Sequence, residues 1–195
     1  MLNFEKILEN TIVMLRPITQ NDILEFKKIT TNKNLWYYFT SDLSDENELY
    51  NWVYNAISDN KNKIRLAFAI IFKPENKIIG STSFGNFSHN DSRIEIGWTW
   101  LASDFHGKGI NDYIKYLMLK YCFEELNLKR VEFKTDVLNL FARNALKRIG
   151  AVEEGVLRSH TLMTNNRRRE TIYYSILENE WPNVKDCFLT KYNLK

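Results

Sequence analysis

The sequence contains 195 residues with 44% hydrophobic and 14% aromatic side chains, and its formal net charge is +3 at pH 7. This length and composition suit one domain with a sizeable core, and no apolar run reaches the length of a membrane span. Because basic and acidic residues are interspersed and the cysteines and histidines lack the spacing of metal ligands, we expect neither nucleic-acid binding nor a metal site.

The N-terminal segment, residues 1–10, mixes leucine and isoleucine with charged side chains, so it does not predict a signal peptide. Cys122 and Cys187 form no cluster, and Cys122 falls within a predicted helix, where a buried thiol is expected. Isolated thiols are typical of a reducing compartment. We therefore expect a cytoplasmic protein without a membrane segment.

The first third of the chain predicts one strand followed by helices. Residues 11–16 form the strand, which Pro17 ends. Thr19 is placed as the N-cap of a helix reaching about Ile29. Residues 32–60 predict one or two further helices, in which four apolar side chains share one face: Leu49, Trp52, Val53 and Ala56. The aromatic cluster at 36–39 favours a core position, although a substrate cleft could use part of it.

A three-strand meander follows, over residues 66–72, 78–87 and 93–101. Strict alternation in the third strand predicts Ile94, Ile96, Trp98 and Trp100 on one face. The same alternation puts Arg93, Glu95, Gly97 and Thr99 on the other face.

The second half predicts two helices and three strands. The helices cover 109–126, with one apolar stripe, and 141–149, which Gly150 ends. The strands cover 131–137, 152–157 and 170–177. A polar hairpin tip containing Asn165, Asn166 and the arginines at 167–169 is favoured over a contact with a phosphate backbone. The predicted fold class is therefore mixed α/β, with a largely antiparallel sheet flanked by helices.

The segment from Phe105 to Asn111 links the third meander strand to the first long helix of the second half. Gly107 and Gly109 let backbone N–H groups approach a ligand, and the helix start adds unpaired donors and a positive dipole end. Together they predict a phosphate or pyrophosphate site. The spacing matches neither G-x-x-x-x-G-K-[ST] nor G-x-G-x-x-G, since Asp112 stands three residues after Gly109.

These motifs, taken in order, resemble those of the GCN5-related N-acetyltransferase (GNAT) superfamily, in particular the branch of ribosomal-protein N-terminal alanine acetyltransferases. The matching segments are Glu95-Ile96-Gly97-Trp98, the loop from Leu101 to Asn111, and Asn139 to Ala151. The resemblance runs from about residue 11 to residue 181, which makes 1–195 one acetyltransferase domain with a core at about 11–181.

The resemblance implies direct transfer of an acetyl group from acetyl-CoA, as co-substrate, to a primary amine on a protein N-terminus or a small molecule. It assigns CoA binding to the strand end and the loop: Trp98, Thr99, Trp100, Leu101, His106, Gly107, Lys108, Gly109, Ile110 and Asn111. Asn139 is assigned to cofactor positioning, with capping of the following helix as the plain alternative. Glu95 is the expected general base, and a solvated or salt-bridged sheet carboxylate is the equal alternative.

Several positions depart from the family pattern. His106 replaces the usual Gln or Arg, Asn111 and Ala142 replace a smaller residue and a serine, and Leu146 stands where many members have a tyrosine that acts as general acid. These departures motivate a second hypothesis, a non-catalytic CoA-binding regulatory domain on the same fold. A nucleic-acid-binding module using the arginines at 167–169 is the weakest hypothesis, and the oligomeric state, including a homodimer, stays open.

Overall fold

The computed structural model describes residues 2–164 and 166–192. Its strands are β1 Leu8–Glu9, β2 Val13–Pro17, β3 Leu66–Phe72, β4 Lys77–Ser88, β5 Arg93–Leu101, β6 Arg130–Asp136, β7 Val152–Leu162 and β8 Arg168–Leu177. Its α-helices are α1 Ile23–Ile29, α2 Glu46–Lys61, α3 Ile110–Lys120, α4 Leu140–Arg148 and α5 Trp181–Tyr192.

The described strands form one eight-stranded sheet in the order β1-β2-β3-β4-β5-β6-β8-β7. Every neighbouring pair is antiparallel except β5 and β6, which run parallel. A parallel pair needs a crossover connection, and here α3 supplies it between the two strands. The crossover places the N-terminus of α3 at the end of β5.

Helices cover both faces of the sheet and divide its core into two clusters. The strand β3 shows why, since its side chains alternate between them: Leu66, Phe68 and Ile70 join one cluster, and Ala67, Ala69 and Ile71 join the other. The first cluster packs against α3, α4 and α5, and the second packs against α1 and α2. We call these the α3 face and the α2 face of the sheet.

A β-bulge in β5 overturns the predicted alternation of that strand. Trp98 takes a left-handed backbone with φ of 52°, and the register with β4 shifts between Ser81 and Ser83. Ile94 and Ile96 therefore remain in the core of the α3 face, whereas Trp100 joins the core of the α2 face. The prediction that all four side chains share one face is wrong because the extra residue reverses the pleat.

Most other predicted elements are present within a few residues, and the differences are local. The N-cap of α2 is Asp45, whose carboxylate accepts from the Glu48 N–H at 3.0 Å. The terminal hairpin of β7 and β8 is longer than expected and closes with a 2.9 Å bond from Met163 N–H to the Arg167 carbonyl. Asn165, part of the predicted hairpin tip, lies outside the described residues.

Candidate functional site

A cleft opens between β5 and β6 because the two strands separate after a short pairing. Their register covers only Arg93 with Arg130, Ile94 with Val131 and Glu95 with Glu132. Beyond this point β5 continues to Leu101 and β6 continues to Asp136 without pairing to each other. The strand end at 98–101, assigned from the sequence to CoA binding, forms one wall of this cleft.

The predicted phosphate loop lies at the end of β5 and leads directly into α3. Gly107 and Gly109 have φ of 72° and 76°, a left-handed region that glycine enters without strain. Within the described chain, no hydrogen bond engages the N–H groups from Gly107 to Asn111. A Cβ placed on Gly107 would meet nothing within 4 Å, so the loop is open on its outer side. Unpaired donors at a helix start suit a phosphate group.

The side chain of His106 turns back onto the protein. Its Nε2 lies 2.9 Å from the carbonyl oxygen of Leu101, and its ring stacks on Phe141 with 5.8 Å between centroids. Since a carbonyl oxygen only accepts, Nε2 must carry the hydrogen. A phosphate could then be reached only through Nδ1, which donates when the imidazole is protonated. The backbone N–H groups of the loop can donate to a phosphate at any protonation state of His106.

Glu95 is buried, with 3% of its surface exposed, and it is held by two donors. Its Oε2 accepts from Asn86 Nδ2 at 2.6 Å and lies 2.9 Å from Lys134 Nζ. The other oxygen, Oε1, would lie 2.7 Å from a Cβ on Gly97, so the carboxylate rests on a backbone that only glycine leaves open. The salt-bridged carboxylate considered from the sequence therefore exists, and its partner is Lys134.

A cavity of about 440 Å³ opens on the α2 face beside Glu95. Its walls are rich in aromatic rings: Trp36, Phe39, Trp52, Trp98 and Trp100. Polar side chains also line it, including Glu48, Asn51, Asn55 and Asn86. Because Asn86 donates to Glu95, the cavity and the buried carboxylate share a side chain.

Asn139 and Leu146 bound the α4 side of the site. The side chain of Asn139 accepts from Ala142 N–H at 3.0 Å and so caps α4, as the plain alternative expected. Leu146 is 8% exposed and packs in the core of the α3 face. The position at which the family pattern has a tyrosine therefore holds an apolar side chain.

Sequence reasoning missed one buried charged side chain of α3, Lys115, which is 4% exposed. Its Nζ donates to Thr99 Oγ1 at 2.7 Å, and burial lowers the pKa of Lys115 to about 7. The available signal was the apolar run of Tyr116, Leu117, Met118 and Leu119, which marks a helix buried nearly all round. The ammonium group of a lysine inside such a run has little access to solvent.

Across residues 2–164 and 166–192, no group of three or more potential ligands among His, Cys, Asp and Glu could hold a metal ion. Over the same ranges no helix is long and apolar enough to cross a membrane.

The sequence and the fold were compared with those of known proteins, and the matches are to acetyltransferases. A family model described as an acetyltransferase (GNAT) domain matches residues 13–152. YdaF of Bacillus subtilis (strain 168), provisionally named a ribosomal N-acetyltransferase, is 36% identical over 111 residues. That match covers 57% of this chain and 60% of YdaF, so the chain aligns with less than two thirds of this relative.

Solved structures share the fold over most of the chain. A GCN5-related N-acetyltransferase from Brucella melitensis superposes with a TM-score of 0.87 at 24% identity, covering 95% of this chain and 85% of that one. The microcin C7 self-immunity acetyltransferase MccE, solved in complex with acetyl-CoA and AMP, gives a TM-score of 0.77 at 24% identity over 86% of this chain and 93% of MccE. The mixed α/β, largely antiparallel sheet predicted from the sequence is confirmed.

Proposed function

The chain belongs to the GNAT acetyltransferase family, and we propose that it is an N-acetyltransferase that moves the acetyl group of acetyl-CoA to a primary amine. The observation that carries the proposal is the cleft between β5 and β6, which ends in the loop of unpaired N–H donors from Gly107 to Asn111. MccE, which shares the fold, was solved with acetyl-CoA.

In this proposal the two ends of the cleft have separate tasks. The N–H groups of the loop and the N-terminus of α3 hold the pyrophosphate, and the edge of residues 98–101 that does not pair with β6 binds the pantetheine arm. An amide-bearing arm and an unpaired strand edge are complementary in hydrogen bonding. Asn139, whose amide oxygen already caps α4, keeps its amide nitrogen for the donor.

The acceptor amine enters through the aromatic cavity on the α2 face. An aliphatic amine is protonated near pH 7, so a base must take its proton before the nitrogen can attack. In this proposal Glu95, which accepts a hydrogen bond from the cavity residue Asn86, takes the proton directly or through water. The amine nitrogen then attacks the thioester carbonyl, and a backbone N–H near the Trp98 bulge stabilises the oxyanion.

The test is incubation of the purified chain with acetyl-CoA and a panel of primary amines, comprising peptides with free N-termini, amino acids, polyamines and amino sugars. We expect at least one acceptor to gain the mass of one acetyl group while free CoA thiol is released in equal amount. Thiol release without any acetylated acceptor would contradict amine transfer.

The second candidate is a non-catalytic CoA-binding regulatory domain on the same fold. The apolar side chain of Leu146 at the position of the expected proton donor is the observation that favours it. Tight binding of acetyl-CoA in calorimetry, with no turnover of any amine in the panel, would support this candidate.

A further inference from the structure

Lys115 is a buried cation without a carboxylate partner in the described chain. It lies on α3 with 4% of its surface exposed, and no described carboxylate comes within the 4.0 Å of an ion pair. Its one hydrogen-bond acceptor is Thr99 Oγ1, at 2.7 Å from Nζ. Burying an ammonium group without an ion pair is costly, so the arrangement calls for an explanation.

Thr99 brings this amine to the edge of the cleft. The bulge at Trp98 turns the Thr99 side chain toward α3, where its Oγ1 lies 2.8 Å from Thr82 Oγ1 and 3.4 Å from the Gly97 carbonyl. Thr99 itself is only partly buried and lies beyond the last residue of β5 that pairs with β6. A threonine hydroxyl that accepts from Lys115 has one hydrogen, for which Thr82 Oγ1 and the Gly97 carbonyl are the present acceptors, and rotation of the hydroxyl would redirect it to a ligand in the cleft.

The polar side chains of the cleft lie on opposite faces of the sheet. Glu95 and the aromatic cavity lie on the α2 face, from which the amine approaches. Thr99 and Lys115 lie on the α3 face, which also holds Leu146. A leaving thiolate therefore departs toward a face on which the tyrosine of the family pattern is missing and a lysine–threonine pair is present.

We propose that Thr99 and Lys115 form the leaving-group side of the transfer site, with the Thr99 hydroxyl donating to the sulfur of CoA while Lys115 donates to Thr99. This inference rests on the proposed function and names residues that the family pattern does not assign to that task. Thr99 is the group that touches the sulfur, and Lys115 is a positioning residue that acts through it.

The step balances in atoms and charge. The amine nitrogen forms the C–N bond, the C–S bond breaks, and its electron pair passes to sulfur. Thr99 gives its hydroxyl proton to sulfur and takes one from the Lys115 ammonium, which is later reprotonated from solvent. The proton lost by the amine leaves through Glu95. A Lys115 pKa of about 7 makes the ammonium a much better proton donor than an ordinary lysine.

No other ionisable group of the described chain competes for Lys115. Charged side chains on the elements packed against α3 form ion pairs elsewhere: Glu9 with Lys73, Arg16 with Asp22, Glu124 with Lys185, Glu125 with Lys6, and Asp112 with Arg148 and Lys191. Asp186 of α5 is exposed. Cys122, just after the end of α3, is buried, and burial raises the pKa of its thiol well above the ordinary value. It is therefore neutral at pH 7.

The direct test measures the thiol of bound CoA and needs no acceptor amine. The ultraviolet absorbance of the thiolate is titrated in the complex with CoA, and the complex with desulfo-CoA serves as reference so that adenine and protein thiols cancel. We expect Lys115→Met to raise the pKa of the bound thiol by about one unit, because the Thr99 hydroxyl that Lys115 holds by its hydrogen bond donates to the thiolate, and a hydrogen bond to the charged form favours that form. Lys120→Met, which removes an exposed lysine of the same helix, should leave it unchanged.

The matched pair at Thr99 separates hydroxyl chemistry from packing. Thr99→Ser keeps the hydroxyl and should titrate like the wild type, whereas Thr99→Val keeps the shape and should titrate like Lys115→Met. Once the panel has identified an acceptor amine, Lys115→Met should lower kcat about tenfold or more at unchanged KM for acetyl-CoA.

The outcomes separate this inference from the function on which it rests. If neither CoA nor desulfo-CoA binds the wild-type chain, the proposed function fails and the inference fails with it. If both bind and the bound thiol titrates alike in the wild type and Lys115→Met, the inference alone is overturned.

Discussion

The carboxylate of Glu95 combines burial with two partners, Asn86 and Lys134, which fix its orientation. A group held in this way can accept a proton from a nearby amine without first reorganising. Its contact with the backbone of Gly97 also explains why glycine follows two residues after it. The residue-scale chemistry of the site therefore depends on a small cluster around one side chain.

For this reason Glu95→Gln should lower kcat on the order of 10²-fold or more while leaving the affinity for acetyl-CoA unchanged, since the amide cannot take the amine proton. Steady-state kinetics with calorimetric binding of acetyl-CoA check both parts. The matched control is Glu132→Gln, which alters the residue opposite Glu95 in the register of β5 and β6. Equal loss of activity in the two variants would assign Glu95 a structural role.

Residue patterns predicted the position of Glu95 and of the glycine loop, because both follow local rules of strand and turn chemistry. They did not predict the partners of Glu95, since Asn86 and Lys134 come from separate strands. Lys115 was missed for a similar reason. Its meeting with Thr99 depends on how α3 crosses the sheet, and on a bulge that no local pattern marks.

At the scale of elements, the loop before α3 combines two left-handed glycines with N–H groups that no hydrogen bond of the described chain engages. Gly109→Asp should weaken acetyl-CoA binding at least tenfold, since it adds a negative charge beside the pyrophosphate. Isothermal calorimetry measures the effect.

The neutral variant Gly109→Asn is the matched control for this change. Asparagine tolerates the left-handed backbone of Gly109, whose φ is 76°, so it tests the bulk of the side chain without its charge. Gly155→Asp places the same charge on β7, in open space. Undiminished acetyl-CoA affinity in Gly109→Asp would remove the loop from the donor site.

Elements with strong hydrophobic periodicity, or with turn residues at their ends, were predicted well. The strands β3 and β5 match their expected bounds. The hairpin of β7 and β8 was predicted too short, because the exposed residues of β7 carry no alternation to mark a strand. Its length is set by pairing with β8, which is a tertiary effect.

The stability of the whole molecule should depend on pH through Lys115. Its pKa falls from 10.5 in the unfolded reference to about 7 in the folded chain. Between these values the unfolded chain holds a proton that the folded chain has lost, so the free energy of unfolding rises with pH. Below about pH 7 the cost of burying the ammonium is present in full.

Lys115→Met removes this cost, so it should raise the free energy of unfolding by a few kcal/mol at about pH 6, and the gain should shrink toward pH 10. Urea unfolding of the wild type, Lys115→Met and Lys120→Met across this range provides the measurement. Parallel pH profiles for the wild type and Lys115→Met would show that the lysine keeps its ordinary pKa after folding.

The short pairing of β5 with β6 has a mechanical consequence for the molecule. It divides the sheet into a sub-sheet of β1 to β5 and a sub-sheet of β6 to β8, joined in the sheet plane only at Arg93–Glu95 and Arg130–Glu132. Such a narrow seam is the natural place for local opening, since few ladder bonds cross it. One core cluster still packs beneath both sub-sheets, so a ligand lying in the cleft would span the gap in the ladder and stabilise the molecule where its backbone pairing is weakest.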